Sequence, residues 1–298
     1  MPINELEQHP FLDYLQQDNI EIRNDYKGLI IGSFPVFSLT NSLDNNLNIV
    51  AERFDLEAAK MRFFYGSNLS HFWEYISSAI GEQNPTVALP NDNIANHHLT
   101  ARQRTISFLQ RNKLYITDSL FQTNRIDNDN EDSDLWITNN VNNFIHNNLS
   151  LNTNIIEILE EHKTIQNLYF TATGLIGKTP FGWFRQIFGN NITIQNENII
   201  GGRRWSFNCL INGRKYNIFM LPTPKSRGIH FTDNRRTQMF VNYLQSHMND
   251  FYNEIEDLPM INHTQLQKQT LSVTRINFLI ECYRQAFVFK NLNFDGQL

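Results

Sequence analysis

Asp118 lies in the run LYITDSL, between Thr117 and Ser119, at the end of an apolar stretch. A carboxylate so placed can fix an imidazole, hold a water molecule or steady a cationic transition state. It can equally do no more than cap a turn, which Asp does well. GSFP, residues 32–35, is a second candidate. Gly32 permits a tight turn and Pro35 stiffens its exit. Backbone N–H groups around Ser33 and Phe34 can face a ligand, and the Phe34 ring can stack on another ring; the plain alternative is an ordinary strand-to-helix turn. FFYGSNLSHFW, residues 63–73, is a third. It does not alternate as a strand does. It reads as a loop from Tyr65 to Ser70 that enters a helix anchored by Phe72, Trp73, Tyr75 and Ile76, with Asn68 or Ser70 available as the cap. Small polar groups pinned between aromatics suit a pocket wall.

LPTPKSRGIH, residues 221–230, is the fourth. Its prolines stiffen the backbone, Lys225 and Arg227 can meet phosphates, and the Ser226 hydroxyl can hydrogen-bond one. Around it, residues 201–236 hold Arg203, Arg204, Arg214, Lys215, Lys225, Arg227, Arg235 and Arg236 against one acid, Asp233. The formal net charge is −5, so a polyanion must be met by a local patch of this kind, gathered at one end of a sheet. Such a patch is the footprint of nucleic-acid binding, or else a solvated basic face.

Other chemistries lack their residues. GLIGKTP, residues 174–180, has Gly-Lys-Thr without the first glycine of a phosphate-binding loop, and GLIIGSFP lacks the dinucleotide spacing. No nucleophile elbow is present. The nine His show no zinc spacing, and His97-His98 reads as a surface loop, so no metal site and no cofactor are expected. Two Cys, Cys209 and Cys282, cannot build a disulfide framework, which points to a reducing cytoplasm. MPINELEQHPFLDYLQQ has no basic region followed by an apolar one, as a signal peptide would, and no stretch reaches the ~20 apolar residues of a membrane span.

The elements that must position these residues follow from periodicity. With 298 residues, 41% hydrophobic and 18% charged, the chain can pack a sizeable core. Helices are expected over 3–17, 71–80, 101–112, 136–162, 182–189, 233–247 and 264–290. Strands are expected at 29–31, 114–118, 164–171, 192–198, 204–210 and 215–221, with 119–125 an exit loop. Strands alternating with helices predict an α/β fold: a three-layer α/β/α sandwich on a mostly parallel sheet. Ligands in such sheets sit beyond the carboxyl ends of the strands, and four turns leave such ends here: GSFP, TDSLFQTNR, TATG and PTPKSRG. The α/β domain is expected over 1–249, with 250–298 a helical extension packed on it.

Taken in order, GSFP, FFYGSNLSHFW, LYITDSLFQTNR, LYFTATG and LPTPKS resemble the motifs of the uracil-DNA glycosylase superfamily, in its mismatch-type and hypoxanthine-DNA glycosylase-like branch. The resemblance runs from about residue 26 to 245. It implies an enzyme that extrudes a damaged or modified base from DNA and hydrolyses its N-glycosidic bond. On this pattern Ser33, Phe34, Tyr65 and Thr173 form the base pocket, Asp118, Asn68 and Ser70 the catalytic group, and Lys225, Ser226, Arg227, Arg203 and Arg204 the grip on DNA. The sequence departs from the pattern at three places. The family's Asn before the Trp is Ser70, the first turn carries Ser33-Phe34 where an acid or amide is usual, and the His of the last motif is Leu221. Asp118, Asn68, or Asp44 or Asp55 from the 39–62 insertion is then left to handle water. The base stays open between uracil, hypoxanthine and bulky modified pyrimidines such as those of phage DNA. A monomer is expected. The rivals are a non-catalytic DNA-binding module, a housekeeping repair enzyme, and a nucleotide- or sugar-handling α/β enzyme that never touches DNA.

Overall fold

Leu29, Ile30 and Ile31 expose no surface, so the strand they form must be covered on both faces. This is β2, Gly28–Gly32. The computed structural model describes residues 7–21, 23–35, 60–68, 70–90, 92, 97–123, 150–172, 174–176, 179–200, 203–224, 234–258 and 262–290. Within it β2 lies in a six-stranded sheet with β3 (Leu114–Asp118), β6 (Asn167–Phe170), β7 (Ile192–Ile200), β8 (Arg203–Ile211) and β9 (Arg214–Met220), in the order β3-β2-β6-β9-β8-β7. The first four strands are parallel, and β7 and β8 form an antiparallel hairpin beside them. The fold is therefore mixed α/β on a mostly parallel sheet, as the alternation of elements predicts.

Side chains alternate across a strand, and β6 shows what covers each face. Phe170 meets Phe181 and Phe184 edge-on, both from α5 (Pro180–Phe188). Its neighbour Tyr169 points the other way and stacks on Phe287, 4.1 Å between centroids, in the π-turn that extends α8 (Gln265–Arg284). Helix α2 (Phe72–Ile80) lies on that second side, with Phe72 and Tyr75 against Tyr283 of α8. Cys209 of β8 shares the α5 side with Phe207, which meets Phe181; Cys282 lies in α8 on the other, and both thiols are buried. The remaining helices are α1 (Tyr14–Gln17), α3 (His97–Arg111), α4 (Asn154–Glu161), α6 (Asn234–His247) and α7 (Asn249–Ile255).

Three expectations are corrected. The amino-terminal segment is not a helix over 3–17: among the described residues only Tyr14–Gln17 is helical, and Glu7–Gln8 form β1. Residues 119–125 are not merely an exit loop. Leu120–Thr123 make β4, which joins β1 and β5 (Ser150–Leu151) in a small antiparallel sheet. Of 136–162, the described helix is α4 alone. The basic segment is also split. Arg203 and Arg204, at the start of antiparallel β8, lie beside the carboxyl end of β9, whereas Arg214 and Lys215 sit at the opposite end of the sheet. There Arg214 donates to the carbonyls of Leu159, Lys163 and Ile165, tying down the end of α4.

Candidate functional site at the carboxyl ends of the parallel strands

Strand β2 has β3 on one side and β6 on the other. The chain leaves β2 toward β3 and then crosses back past β2 to β6, so the connections diverge above β2. An open α/β sheet places its ligand at such a divergence. The residues that emerge here are Ser33 and Phe34 after β2, Asp118 ending β3, and Thr171 after β6.

Asp118 is 3% exposed. Its Oδ2 accepts a hydrogen bond from His9 Nε2 at 2.9 Å, and its Oδ1 is buried without a hydrogen-bond partner among the described residues. The strand end is clamped from behind. Asn152 Nδ2 donates to Thr117 Oγ1 at 3.0 Å and to the Asp118 carbonyl at 2.8 Å, and Asn152 N–H donates to the Ser119 carbonyl at 2.9 Å. Ser119 N–H donates to the Gly32 carbonyl and Leu120 N–H to the Ser33 carbonyl, so the GSFP turn and the Asp118 turn are joined through their backbones.

Tyr65 reaches the same place. A Cβ built on Gly32 would lie 2.1 Å from Asp118 Oδ1 and 2.2 Å from the Tyr65 hydroxyl, so the two oxygens both pack tightly against the glycine and leave no room there for a side chain. The Tyr65 hydroxyl hydrogen-bonds Thr171 Oγ1 at 2.6 Å, and its ring stacks on Phe72 at 4.4 Å. Tyr65 holds this position with φ 55°, a left-handed backbone that costs an L-residue on the order of 1 kcal/mol or more. Phe34 is 5% exposed, packed with Leu120 and Trp183, and meets the His9 ring edge-on at 5.4 Å. A flat ligand that stacks on Phe34 must displace a present neighbour of that ring.

Ser33, Phe34, Tyr65 and Asp118, each singled out in the sequence, lie at this end of the sheet. The start of LPTPKS joins them: Leu221 N–H donates to the Phe170 carbonyl, and the Pro224 carbonyl accepts from His71 N–H at 2.9 Å. Asn68 is exposed on the Tyr65 loop. Ser70 has a structural task, its hydroxyl accepting from Phe72 N–H at the start of α2. Thr173, Lys225, Ser226 and Arg227 lie outside the described residues, as do Asp44 and Asp55. The β8 backbone puts Arg203 and Arg204 at the same end of the sheet as Asp118.

Three residues escaped the sequence reading: His9, Asn152 and Thr171. Nothing local marks His9, because it is carried to Asp118 by the pairing of Glu7 and Gln8 with β4 across more than a hundred residues. Thr171 sits two positions before the Thr that the TATG motif suggested.

Among the described residues no group of three His, Cys, Asp or Glu side chains is arranged to hold a metal ion, and no helix is long and apolar enough to cross a membrane. No family model matches the chain, and neither does any curated protein or solved structure.

Proposed function

We propose that this chain is a DNA glycosylase with a three-layer, uracil-DNA glycosylase-like fold. It acts as a cytoplasmic monomer that swings a damaged or modified base out of DNA and hydrolyses its N-glycosidic bond. Modified phage DNA, attacked in antiviral defence, is its proposed natural target. The observation that supports this best is the buried Asp118 carboxylate at the divergence above β2, one oxygen anchored by His9 and the other, near the Tyr65 hydroxyl, without a hydrogen-bond partner among the described residues.

In the proposed reaction the N-glycosidic bond breaks with its electron pair going to the base. Positive charge on the sugar is steadied by the Asp118 carboxylate, whose low-dielectric setting strengthens that attraction. Water then bonds to C1′. One of its protons passes to Asp118 and from there to the departed base, and the hydroxyl stays on C1′, leaving an abasic site. The Phe34 ring and the Tyr65 wall confine the base, Ser33 and Thr171 offer hydrogen bonds to its edge, and Arg203 and Arg204 meet phosphates. No metal or cofactor takes part.

The test is incubation with DNAs that each carry one modified base, uracil, hypoxanthine or a glucosylated pyrimidine, followed by alkali and separation of fragments by size. Cleavage at the modified position is expected for at least one. Asp118→Asn should reduce excision by about a hundredfold or more while leaving DNA retention in a gel-shift assay unchanged. Intact strands with every substrate, glucosylated phage DNA included, would remove the enzyme reading. Retained binding without cleavage would identify a binding module instead.

A further inference from the structure

His9 belongs to a segment in which composition and spacing signal no chemistry, yet its ring is locked on every side. Its side chain exposes no surface and lies against Phe11, Phe34 and Phe64, at centroid separations of 5.9, 5.4 and 5.2 Å. Its backbone is fixed as well. Glu7 and Gln8 pair with Thr123 and Gln122 of β4, and His9 N–H donates to the Phe121 carbonyl at 2.9 Å. Strand β4 begins two residues after Asp118, so the same small sheet that holds the ring is built directly onto the end of β3.

The two ring nitrogens have different partners. Nδ1 accepts the backbone N–H of Phe11 at 3.1 Å, so Nδ1 carries no proton. The ring is then the neutral tautomer with its proton on Nε2, and Nε2–H donates to Asp118 Oδ2 at 2.9 Å. A buried carboxylate with one oxygen claimed in this way cannot rotate freely, and the oxygen left over is Oδ1, packed against Gly32 and without a hydrogen-bond partner among the described residues.

We infer that His9 is a positioning residue for Asp118: it donates Nε2–H to Oδ2, is held in that tautomer by the Phe11 amide, and thereby aims Oδ1 at the reacting centre. This rests on the glycosylase reading for its consequence in turnover, but its geometry can be tested apart from any activity.

Two measurements on the full-length protein separate the two claims. Nitrogen-15 NMR of histidine-labelled protein should show His9 protonated at Nε2 and not at Nδ1, with an Nε2 proton that exchanges slowly with water. In Asp118→Asn that proton should shift and exchange faster. A proton on Nδ1, or an Nε2–H signal indifferent to the Asp118 change, overturns the inference whether or not any substrate is cleaved. On the substrate that is cleaved, His9→Phe keeps the aromatic packing and loses the donor, whereas His9→Gln keeps a donor at the Nε2 position and loses the ring. We expect His9→Phe to lower kcat about tenfold or more with little change in KM, and His9→Gln to recover most of it. The reverse order, with Phe the better replacement, would show that His9 matters only as a core ring. Should the wild-type protein cleave nothing, the glycosylase reading falls, and the NMR result still decides the role of His9.

Discussion

Gly32 has no room for a side chain, because a methyl group there would collide with the Asp118 carboxylate and the Tyr65 hydroxyl. Gly32→Ala should therefore push Asp118 Oδ1 out of line. We expect excision to drop about tenfold or more, with a modest stability loss of about 1–3 kcal/mol from overpacking, read from a urea titration. Unchanged excision in a folded Gly32→Ala protein would mean that the placement of Asp118 Oδ1 against the glycine does not matter to the reaction. At this scale the site was half legible. Ser33, Phe34, Tyr65 and Asp118 each end or follow an apolar run, and a polar residue at the end of a buried strand stands out. His9 and Asn152 do not, since each gains its meaning from a partner distant in the chain.

Secondary structure was legible in proportion to its length and hydrophobicity. Strands β2 and β3 are buried throughout, and their apolar runs mark them plainly; β1, β4 and β5 span two to four residues, too few for any period to register. At the carboxyl end of α4, His162 is buried between Tyr26 and Tyr115, with ring centroids 5.2 and 5.9 Å away. Burial holds its imidazole below the ordinary value of 6.5. The unfolded chain thus takes up a proton here more readily than the folded one. The stabilisation is complete above that ordinary value and is lost as pH falls through it toward the folded one. The urea midpoint should decline between pH 7 and pH 5, and His162→Phe should flatten part of that decline. An identical pH slope in the variant would show that the ring takes up a proton as readily in the folded chain as in the unfolded one. On the same helix end, Arg214→Ala should cost about 1–3 kcal/mol by stripping three carbonyls of their donor, with no effect on DNA binding, because this arginine faces away from the site.

Over the whole molecule, α8 is part of the one large core. Leu271, Phe278, Leu279, Tyr283 and Phe287 pack in the same cluster as the strands, and the Tyr283 hydroxyl donates to the Pro222 carbonyl next to the site. Phe287→Ala, which removes the ring stacked on Tyr169, should cost about 3–5 kcal/mol. Calorimetry should give one transition for sheet and α8 together; two separate transitions would mean that the carboxyl-terminal helix melts on its own. The mixed α/β fold on a mostly parallel sheet was readable from the alternation of strands and helices. What the alternation does not carry is how far apart two basic residues end up, since a hairpin reverses direction and sends Arg204 and Arg214 to opposite poles. The two sulfhydryls have a further use. Cys209 and Cys282 lie beneath different helical layers, and burial drives the Cys282 thiol well above its usual value, so neither should react with iodoacetamide while the layers stay shut. Each is thus a built-in timer for its own flank, and the order in which the two acquire the mass tag in mild denaturant would reveal which flank loosens first.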